Sequence, residues 1–240
     1  MKTITKITTL LVVLIITTSC FMDGIMGIKG NRNVISESRN ISSKFNEIDI
    51  QQGINLFLTQ GNSTTLKVEA DENIMDLLIT KVENNQLKIY FKKNVYKAKA
   101  RNVYLTTNEI SSIEASSGSS VKTENTWQIP SLKINTSSGS SVKIHVKADD
   151  ISSSSSSGST LRIYGKTNKF SAKASSGSSI NANKLMSMDV LAKASSGANV
   201  TVNVSGKLTA KASSGGSVDY EGNPTEINKD TSSGGNVSGS

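Results

Sequence analysis

The sequence is poor in the residues that build most active sites and most cores. Its 240 residues include one cysteine, Cys20, and one histidine, His145, and 5% of them are aromatic. A single cysteine excludes an internal disulfide and a cysteine-rich zinc site, and a single histidine excludes a two-histidine metal site. We therefore expect no metal and no other cofactor. The shortage of large side chains also argues against a conventional globular enzyme.

Serine is the residue in excess, at 40 of the 240 positions. In ordinary proteins serine is only one of several common residues. Either the serine-rich part is disordered, or a regular architecture repeats small polar side chains at fixed positions.

The first twenty residues have the pattern of an export signal. Lys2 and Lys6 precede an apolar run from Leu10 to Ile16, which is much shorter than the roughly 20 residues that span a bilayer. We expect residues 1–19 to be a cleaved lipoprotein signal peptide. Small residues precede Cys20 and resemble the lipobox of bacterial lipoproteins, although Thr17 stands where that motif usually has Leu. The resemblance implies that Cys20 is acylated and anchors the chain; a plain signal peptide with an incidental cysteine is the alternative.

Charge and address together narrow the expected partners. Cleavage after residue 19 lowers the formal charge from +8 to +6, because it removes Lys2 and Lys6 and no acidic residue. The expected location is the cell envelope, as an outer-membrane lipoprotein facing either the surface or the periplasm. The expected partners are the membrane, through the lipid anchor, and cell-surface glycans or envelope proteins. Nucleic acid is not an expected partner, because no basic run is interleaved with aromatic residues.

Residues 20–43 have scattered Gly, Asn and Ser and no sustained period, so we interpret them as a flexible tether. A domain follows over residues 44–240, divided into a less regular β-rich part, 44–110, and a repeat part, 111–240.

A repeat governs this second part. Ser-Ser-Gly occurs seven times, with successive glycines 21, 19, 19, 20, 18 and 19 residues apart. The residue three positions after each glycine is aliphatic, and the residue three positions before it is small. Such alternation is typical of strands with one inward face. The glycines are Gly118, Gly139, Gly158, Gly177, Gly197, Gly215 and Gly234.

Strands that recur at this interval without helices between them predict a solenoid. We expect an all-β fold, a right-handed parallel β-helix with one coil per repeat and coils stacked about 4.8 Å apart. Each Ser-Ser-Gly would form a corner, with the glycine at positive φ. The two serines would form ladders, one facing inward and one outward.

Six basic residues fall at two repeated outward positions, four residues after the glycine or four before it. Stacked on one another, they predict a basic stripe for acidic glycans or lipopolysaccharide phosphates. The alternative is a solvated face that prevents sheet pairing. The six are Lys122, Lys143, Arg162, Lys173, Lys193 and Lys211.

In the first part, residues 44–110, apolar and polar residues alternate as they do in strands. Asp71 is a candidate cap for a short helical turn over 72–76, and Asn84-Asn85 is typical of a hairpin turn. The expected strands cover residues 46–50, 54–60, 64–70, 86–92 and 102–107.

The ordered set of features from Phe45 onwards resembles the head GIN domain family of auto-transporter adhesins, exported proteins found mainly in Bacteroidetes. The resemblance covers residues 44–240 and is carried by Phe45, Gly53-Ile54-Asn55, the stretch 66–92, the recurrent Ala-Ser-Ser-Gly-Ser units and the final 230–234. It implies a β-helical fold and an envelope location. We interpret Gly53-Ile54-Asn55 as a structural corner, with Ile54 in the core.

No catalytic pattern emerges from the residues. Glycoside hydrolysis needs two carboxylates facing one cleft, whereas Asp149 and Asp150 on a strand would point to opposite faces. His145 occupies an outward strand position, and Gly-x-Ser-x-Gly is missing. We predict that the protein is not an enzyme. The leading hypothesis is a lipid-anchored, non-catalytic envelope protein whose β-helical surface serves adhesion or scaffolding; the alternative is a carbohydrate-binding or polysaccharide-processing envelope module.

Overall fold

A computed structural model describes residues 27–41 and 43–240, which are almost entirely β. The first strands are β1 Ile28–Lys29, β2 Val34–Arg39, β3 Glu47–Ile50, β4 Asn55–Gln60, β5 Thr65–Asp71, β6 Leu78–Glu83, β7 Gln86–Phe91, β8 Val95–Tyr96 and β9 Arg101–Thr107, with a 3-10 helix at Glu72–Leu77. The repeat region holds β10 Ser112–Ala115, β11 Ser120–Thr123, β12 Trp127–Gln128, β13 Ser131–Thr136, β14 Ser141–Ser155, β15 Thr160–Ala174, β16 Ser179–Ala194, β17 Asn199–Val204, β18 Lys207–Ala212, β19 Ser217–Glu221, β20 Glu226–Thr231 and β21 Asn236–Gly239.

Two parallel ladders form two faces that meet at the Ser-Ser-Gly corners. Face A contains the strands that enter the corners, in the order β7, β3, β10, β13, the last parts of β14, β15 and β16, then β18 and β20. Face B contains the strands that leave the corners, in the order β9, β4, β11, the first parts of β14, β15 and β16, then β17, β19 and β21. This solenoid has about seven turns with parallel bridges about 19 residues apart, which confirms the predicted β-helix.

Each corner consists of two consecutive residues in the left-handed region. Ser176 has a φ of 52° and Gly177 a φ of 67°, and the other six Ser-Gly pairs have similar values. The positive φ predicted for the glycines is confirmed, and the preceding serine shares it. Both residues point to solvent at every corner. The first serine of each pair is half-buried or exposed, so no serine of a Ser-Ser pair is buried. The prediction that one serine of each pair faces inward is therefore wrong.

The core consists of aliphatic columns that run along the solenoid. Val142, Leu161 and Ile180 are register partners in three successive coils and are fully buried, as the alternation predicted. On the side of the coil away from the corners, Val146 lies in register between Trp127 and Gly165.

Gly53-Ile54-Asn55 belongs to a corner of the same kind. Gln52 and Gly53 have φ values of 61° and 67°, and Ile54 is fully buried. The amide of Gly53 donates to the Ser117 carbonyl oxygen at 2.9 Å, as the corner glycines do to the next coil throughout the stack. The interpretation of this tripeptide as a structural corner is confirmed.

The first coil does not stack in sequence order. β3 lies between β7 and β10, and β4 lies between β9 and β11. After β4 the chain therefore passes to the outer side of this first coil, where β7 stacks on β3 and β9 on β4, and then returns to continue the stack from β10. Beyond β9, face B is extended by β5 and then by β2, each antiparallel to its neighbour. Beyond β7, face A is extended by β6, which the predicted Asn84-Asn85 turn joins to β7 as an antiparallel hairpin. Together these antiparallel strands form a cap over one end of the solenoid.

The flexible tether predicted for residues 20–43 is wrong for the part that the structure describes. β1 pairs with β8, and β2 pairs along its whole length with β5. The Arg39 guanidinium also donates to the carbonyl oxygens of Met75, at 3.0 Å, and Leu78. The polar composition that suggested a tether belongs to an edge strand, where exposed polar side chains are expected. Across 27–41 and 43–240, no helix is long and apolar enough to cross a bilayer.

Candidate functional site

The six predicted stripe residues divide into two columns of three. Lys122, Lys143 and Arg162 are register partners on face B. Lys173, Lys193 and Lys211 are register partners on face A. The Ser-Ser-Gly corners separate the columns, so the single stripe predicted from the sequence is two patches on two faces. The lipidation residue Cys20 and the signal peptide lie outside the described residues.

The three face A lysines belong to a longer run of outward side chains, which we call the charged column. It is flanked by rows of mainly small and polar side chains, including the first serine of each Ser-Ser-Gly, which is half-buried in the first six repeats and exposed in the last. Inside its terminal residues Lys88 and Asp230, the column has acids in the half near the cap and lysines in the other half. In register order it contains Lys88, Asp49, Glu114, Asn135, Ser154, Lys173, Lys193, Lys211 and Asp230.

Face B combines cations with aromatic rings. The Phe57 and Tyr104 rings stack with centroids 4.9 Å apart, and His145 stacks on Tyr164 at 4.7 Å. Nζ of Lys143 lies 5.5 Å from the Tyr164 centroid, within cation–π range. Sequence reasoning missed these pairs because their members are 47 and 19 residues apart and only coil stacking joins them. Since each ring covers one face of its neighbour, that face is closed to a ligand.

The inner serines, defined as the residues directly after the corner glycines, carry the buried hydroxyls that sequence reasoning assigned to Ser-Ser. The hydroxyl of Ser140 donates to the Ala115 carbonyl oxygen of the preceding coil at 2.8 Å and accepts from the Ser137 amide at 3.2 Å. Ser159 and Ser178 repeat this pattern, so each of these three hydroxyls satisfies groups on two coils, whereas among the described residues the Ser119 hydroxyl donates only to the Ile50 carbonyl oxygen. The four inner serines are Ser119, Ser140, Ser159 and Ser178.

Asp71 is a fully buried carboxylate in the cap. It precedes the 3-10 helix but makes no side-chain capping bond, so its predicted capping role is wrong although the helical turn is present. Its carboxylate accepts instead from the amides of Arg32, Lys99 and Ala100 at 2.8 to 3.0 Å. Burial raises the pKa of Asp71, but these backbone hydrogen bonds outweigh burial and hold that pKa below its ordinary value.

The candidate catalytic groups lie apart. Asp149 lines one shallow groove with Lys147 and Lys166, whereas Asp150 lines a different groove with Lys169. The His145 ring is stacked on Tyr164, and among the described residues no carboxylate forms a hydrogen bond or ion pair with it. Within the described ranges, no three His, Cys, Asp or Glu side chains cluster in a way that could hold a metal ion.

The sequence profile of the family described as "Putative auto-transporter adhesin, head GIN domain" matches residues 44–224. A "putative adhesin" of Bacteroides fragilis has a similar structure, with a TM-score of 0.82 and 21% identity over 89% of this chain and 100% of that chain. A "putative adhesin" of Parabacteroides distasonis has a TM-score of 0.72 and 19% identity, over 89% of this chain and 99% of that chain. A "putative lipid binding protein" of the same species has a TM-score of 0.70 and 19% identity, over 89% of this chain and 99% of that chain. No protein of curated function matches the sequence.

Proposed function

This chain belongs to the head GIN domain family of auto-transporter adhesins, and on that premise we propose that it is a lipid-anchored, non-catalytic protein of the cell envelope. Membership of an adhesin family indicates a cell-envelope or surface protein. Acylation of Cys20 would anchor it to the outer membrane, and the solenoid would present faces A and B for adhesion or scaffolding.

The observation that carries this proposal is the continuity of the outward columns. On face A, nine register partners form one uninterrupted column from Lys88 to Asp230. At about 4.8 Å per coil, such a column extends for almost 40 Å. A long, regular surface favours repeated contacts with an extended partner, whereas catalysis favours a cleft with convergent groups. The separation of Asp149 from Asp150 into two grooves supports a non-catalytic role.

Fractionation of cells tests the anchor. The unaltered chain should partition with membranes after an alkaline wash, and Cys20→Ala should be released, because Cys20 would carry all of the acyl chains. Ser19→Ala is the matched control and should remain with the membrane. A Cys20→Ala chain that still partitions with membranes would rule out lipid anchoring at this residue.

Protease treatment of intact cells tests the adhesion role. A surface protein should be cleaved without lysis, at exposed segments such as the Lys92-Lys93 turn. Cleavage only after the outer membrane is permeabilised would exclude adhesion and leave an internal scaffolding role.

A second candidate function, binding of an acidic glycan, is supported by face B. Lys122, Lys143 and Arg162 lie in consecutive coils, so their charges repeat at about 4.8 Å. Glu124 is paired with Lys122 at 3.0 Å, whereas Lys143 and Arg162 form no ion pair among the described side chains. Closely spaced cations attract a polyanion at low ionic strength.

Matched triple variants test this candidate. Replacement of Lys122, Lys143 and Arg162 by Ser should abolish salt-sensitive binding to an acidic polysaccharide such as heparin. Replacement of Lys173, Lys193 and Lys211 by Ser removes the same formal charge from face A and should leave most of the binding. Equal losses from the two triple variants would show a general charge effect and not a face B site.

A further inference from the structure

The charged column on face A is complementary to its own reverse. Its nine positions read, in order, Lys, Asp, Glu, Asn, Ser, Lys, Lys, Lys, Asp, and Ser154 is the fifth. When the order is inverted about Ser154, Lys88 is matched with Asp230, Asp49 with Lys211, and Glu114 with Lys193. Asn135 is matched with Lys173, and Ser154 with itself. Every acid in the column then meets a lysine, and no two like charges meet.

Such an inversion corresponds to a physical arrangement of two copies. A two-fold axis through Ser154, parallel to the strands, brings two A faces together with their solenoid axes antiparallel. The axis preserves position along each strand, so each column faces the same column of the other copy. With the axes parallel instead, Lys193 would face Lys193, which costs electrostatic energy. At the margin of the face, Asp150 would meet its own copy, with Lys169 one coil away to offset it.

Among the described residues, three of the six charges that this arrangement would pair have no ion-pair partner within one chain. Lys88 is not one of these three, because it contacts Glu83 at 3.0 Å. Among the described residues, Asp49, Glu114, Lys173 and Lys193 form no ion pair, although Lys211 contacts Asp230 at 2.9 Å. Burial raises the pKa of Asp49, the Gln51 hydrogen bond lowers it, and the neighbouring Glu114 raises it further. An incoming ammonium group would relieve this repulsion.

The shape and area of face A fit a dimer interface. Small side chains flank the charged column, and each end has a shallow groove of about 320 Å³, one beside Asp49 and Glu114 and the other beside Lys193 and Lys211. Nine strands at about 4.8 Å and six residues at about 3.3 Å give a face of roughly 38 by 20 Å. That is close to the ~800 Å² per partner that stable interfaces bury.

We propose that face A binds a second copy of this chain, antiparallel and two-fold symmetric about Ser154, with Glu114 of each copy paired to Lys193 of the other. This self-association is independent of the lipid anchor and of glycan binding by face B. It weakens as ionic strength rises, because charge pairs hold the register.

Charge exchange tests the proposal by sedimentation of the full chain in detergent. Glu114→Lys and Lys193→Glu should each raise the dissociation constant about tenfold or more. The double variant Glu114→Lys/Lys193→Glu should dimerise again, because the exchanged charges meet across the axis. Within one chain the two residues lie four coils apart, roughly 19 Å, so an intramolecular ion pair cannot produce the rescue. An equimolar mixture of the two single variants should form heterodimers for the same reason.

Control variants and the opposing outcomes complete the test. Lys143→Glu on face B changes the charge equally and should leave the dissociation constant unchanged, and circular dichroism identifies any variant that fails to fold. A wild-type chain that stays monomeric at low salt overturns the proposal. Folded single variants that associate like the wild type, or a double variant that is not rescued, also overturn it.

Disulfide trapping in membranes supplies a second readout. Ser154→Cys lies on the axis and should form a covalent dimer under mild oxidation. Asn181→Cys is equally exposed but lies on face B and should not. The unaltered chain gives the background from Cys20. Trapping that is equal for the two variants contradicts a face A interface.

Discussion

At the scale of single residues, the cap depends on one buried carboxylate. Asp71 joins three segments, because its oxygens accept from Arg32 in the segment after β1 and from Lys99 and Ala100 before β9. A Cβ at Gly30 would lie 2.2 Å from Oδ2 of Asp71, so only glycine lets the chain pass at this point. The cap thus replaces apolar packing locally with charge-assisted hydrogen bonds.

Asp71→Asn should lower the free energy of unfolding by roughly 2 to 4 kcal/mol at pH 7, because an amide cannot accept all three buried amide hydrogens. The folded-state pKa is lowered from 3.8, so the stabilisation by Asp71 is present above about pH 4 and is lost as the pH falls through the folded-state value. Urea unfolding at pH 7 and pH 3 measures this, and the difference between wild type and variant should shrink at the lower pH. Asp76→Asn, an exposed change in the same segment, should have little effect at either pH; a similar loss from both variants would contradict the hub role of Asp71.

Two glycines separate conformational cost from steric cost. A Cβ at Gly177 would contact nothing within 4 Å, so Gly177→Ala tests its positive φ alone and should cost about 1 to 2 kcal/mol. Gly165 has a φ of 126°, and its Cβ would lie 1.9 Å from the Val146 carbonyl oxygen, so Gly165→Ala should cost clearly more. Thermal unfolding of the two variants measures the difference. Equal losses would contradict the close approach of the coils at Val146.

At the scale of elements, one position near the start of the face A segments forms a column of alternating charge through five consecutive coils. Asp150, Lys169 and Asp189 are register partners, and Lys207 continues the column with a 2.7 Å ion pair to Glu226. Alternation favours the native register, since a slip of one coil would place like charges together.

Lys169→Asp would place three acids in consecutive coils, and we expect a melting temperature lower by a few degrees at low salt and a smaller loss at 1 M salt. Lys166→Asp, three residues earlier on the same strand, is the matched control, because Lys166 has Lys147 as its register partner and a change of sign there removes a repulsion. Equal effects of the two variants on the melting temperature would show that net charge, and not the column, is responsible.

The repeat made the strands and corners of the later coils predictable from the sequence. The spatial order of β3 to β9 could not be predicted from it. Ser-Ser-Gly and its aliphatic neighbours predict the corners and inward columns from Gly118 onwards. Gly53 forms the same corner without serines, and the spacing of 65 residues from Gly53 to Gly118 hides the period. Leu56 and Leu58, three and five positions after Gly53, are the signal that could have revealed it. The two patches on faces A and B were merged into one stripe because sequence spacing does not specify the angle at a corner.

At the scale of the whole molecule, the two ends of the solenoid differ. The cap covers one end, whereas at the other β20 and β21 pair on one side only among the described strands. Ile227 is 44% exposed, although its register partner Leu208 is fully buried one coil earlier. The core is therefore open to water at this end.

Hydrogen exchange should show this difference as a gradient. Amides of β20 should exchange fastest, those of β18 more slowly, and those of β15 slowest, because local opening begins where fewest apolar contacts are lost. Mass spectrometry of exchanged peptides measures it. Uniform protection along the stack would contradict independent opening of the last coil.

The strands β5 to β9 lie on the outer side of β3 and β4, and this placement determines how the molecule can change in length. The antiparallel strands are confined to one end, and each later coil pairs only with the coils directly before and after it. A unit of about 19 residues could be added to the open end or removed from it without rebuilding the cap. Each such unit would change the length of the solenoid by one strand spacing, about 4.8 Å, so its length would change in discrete steps.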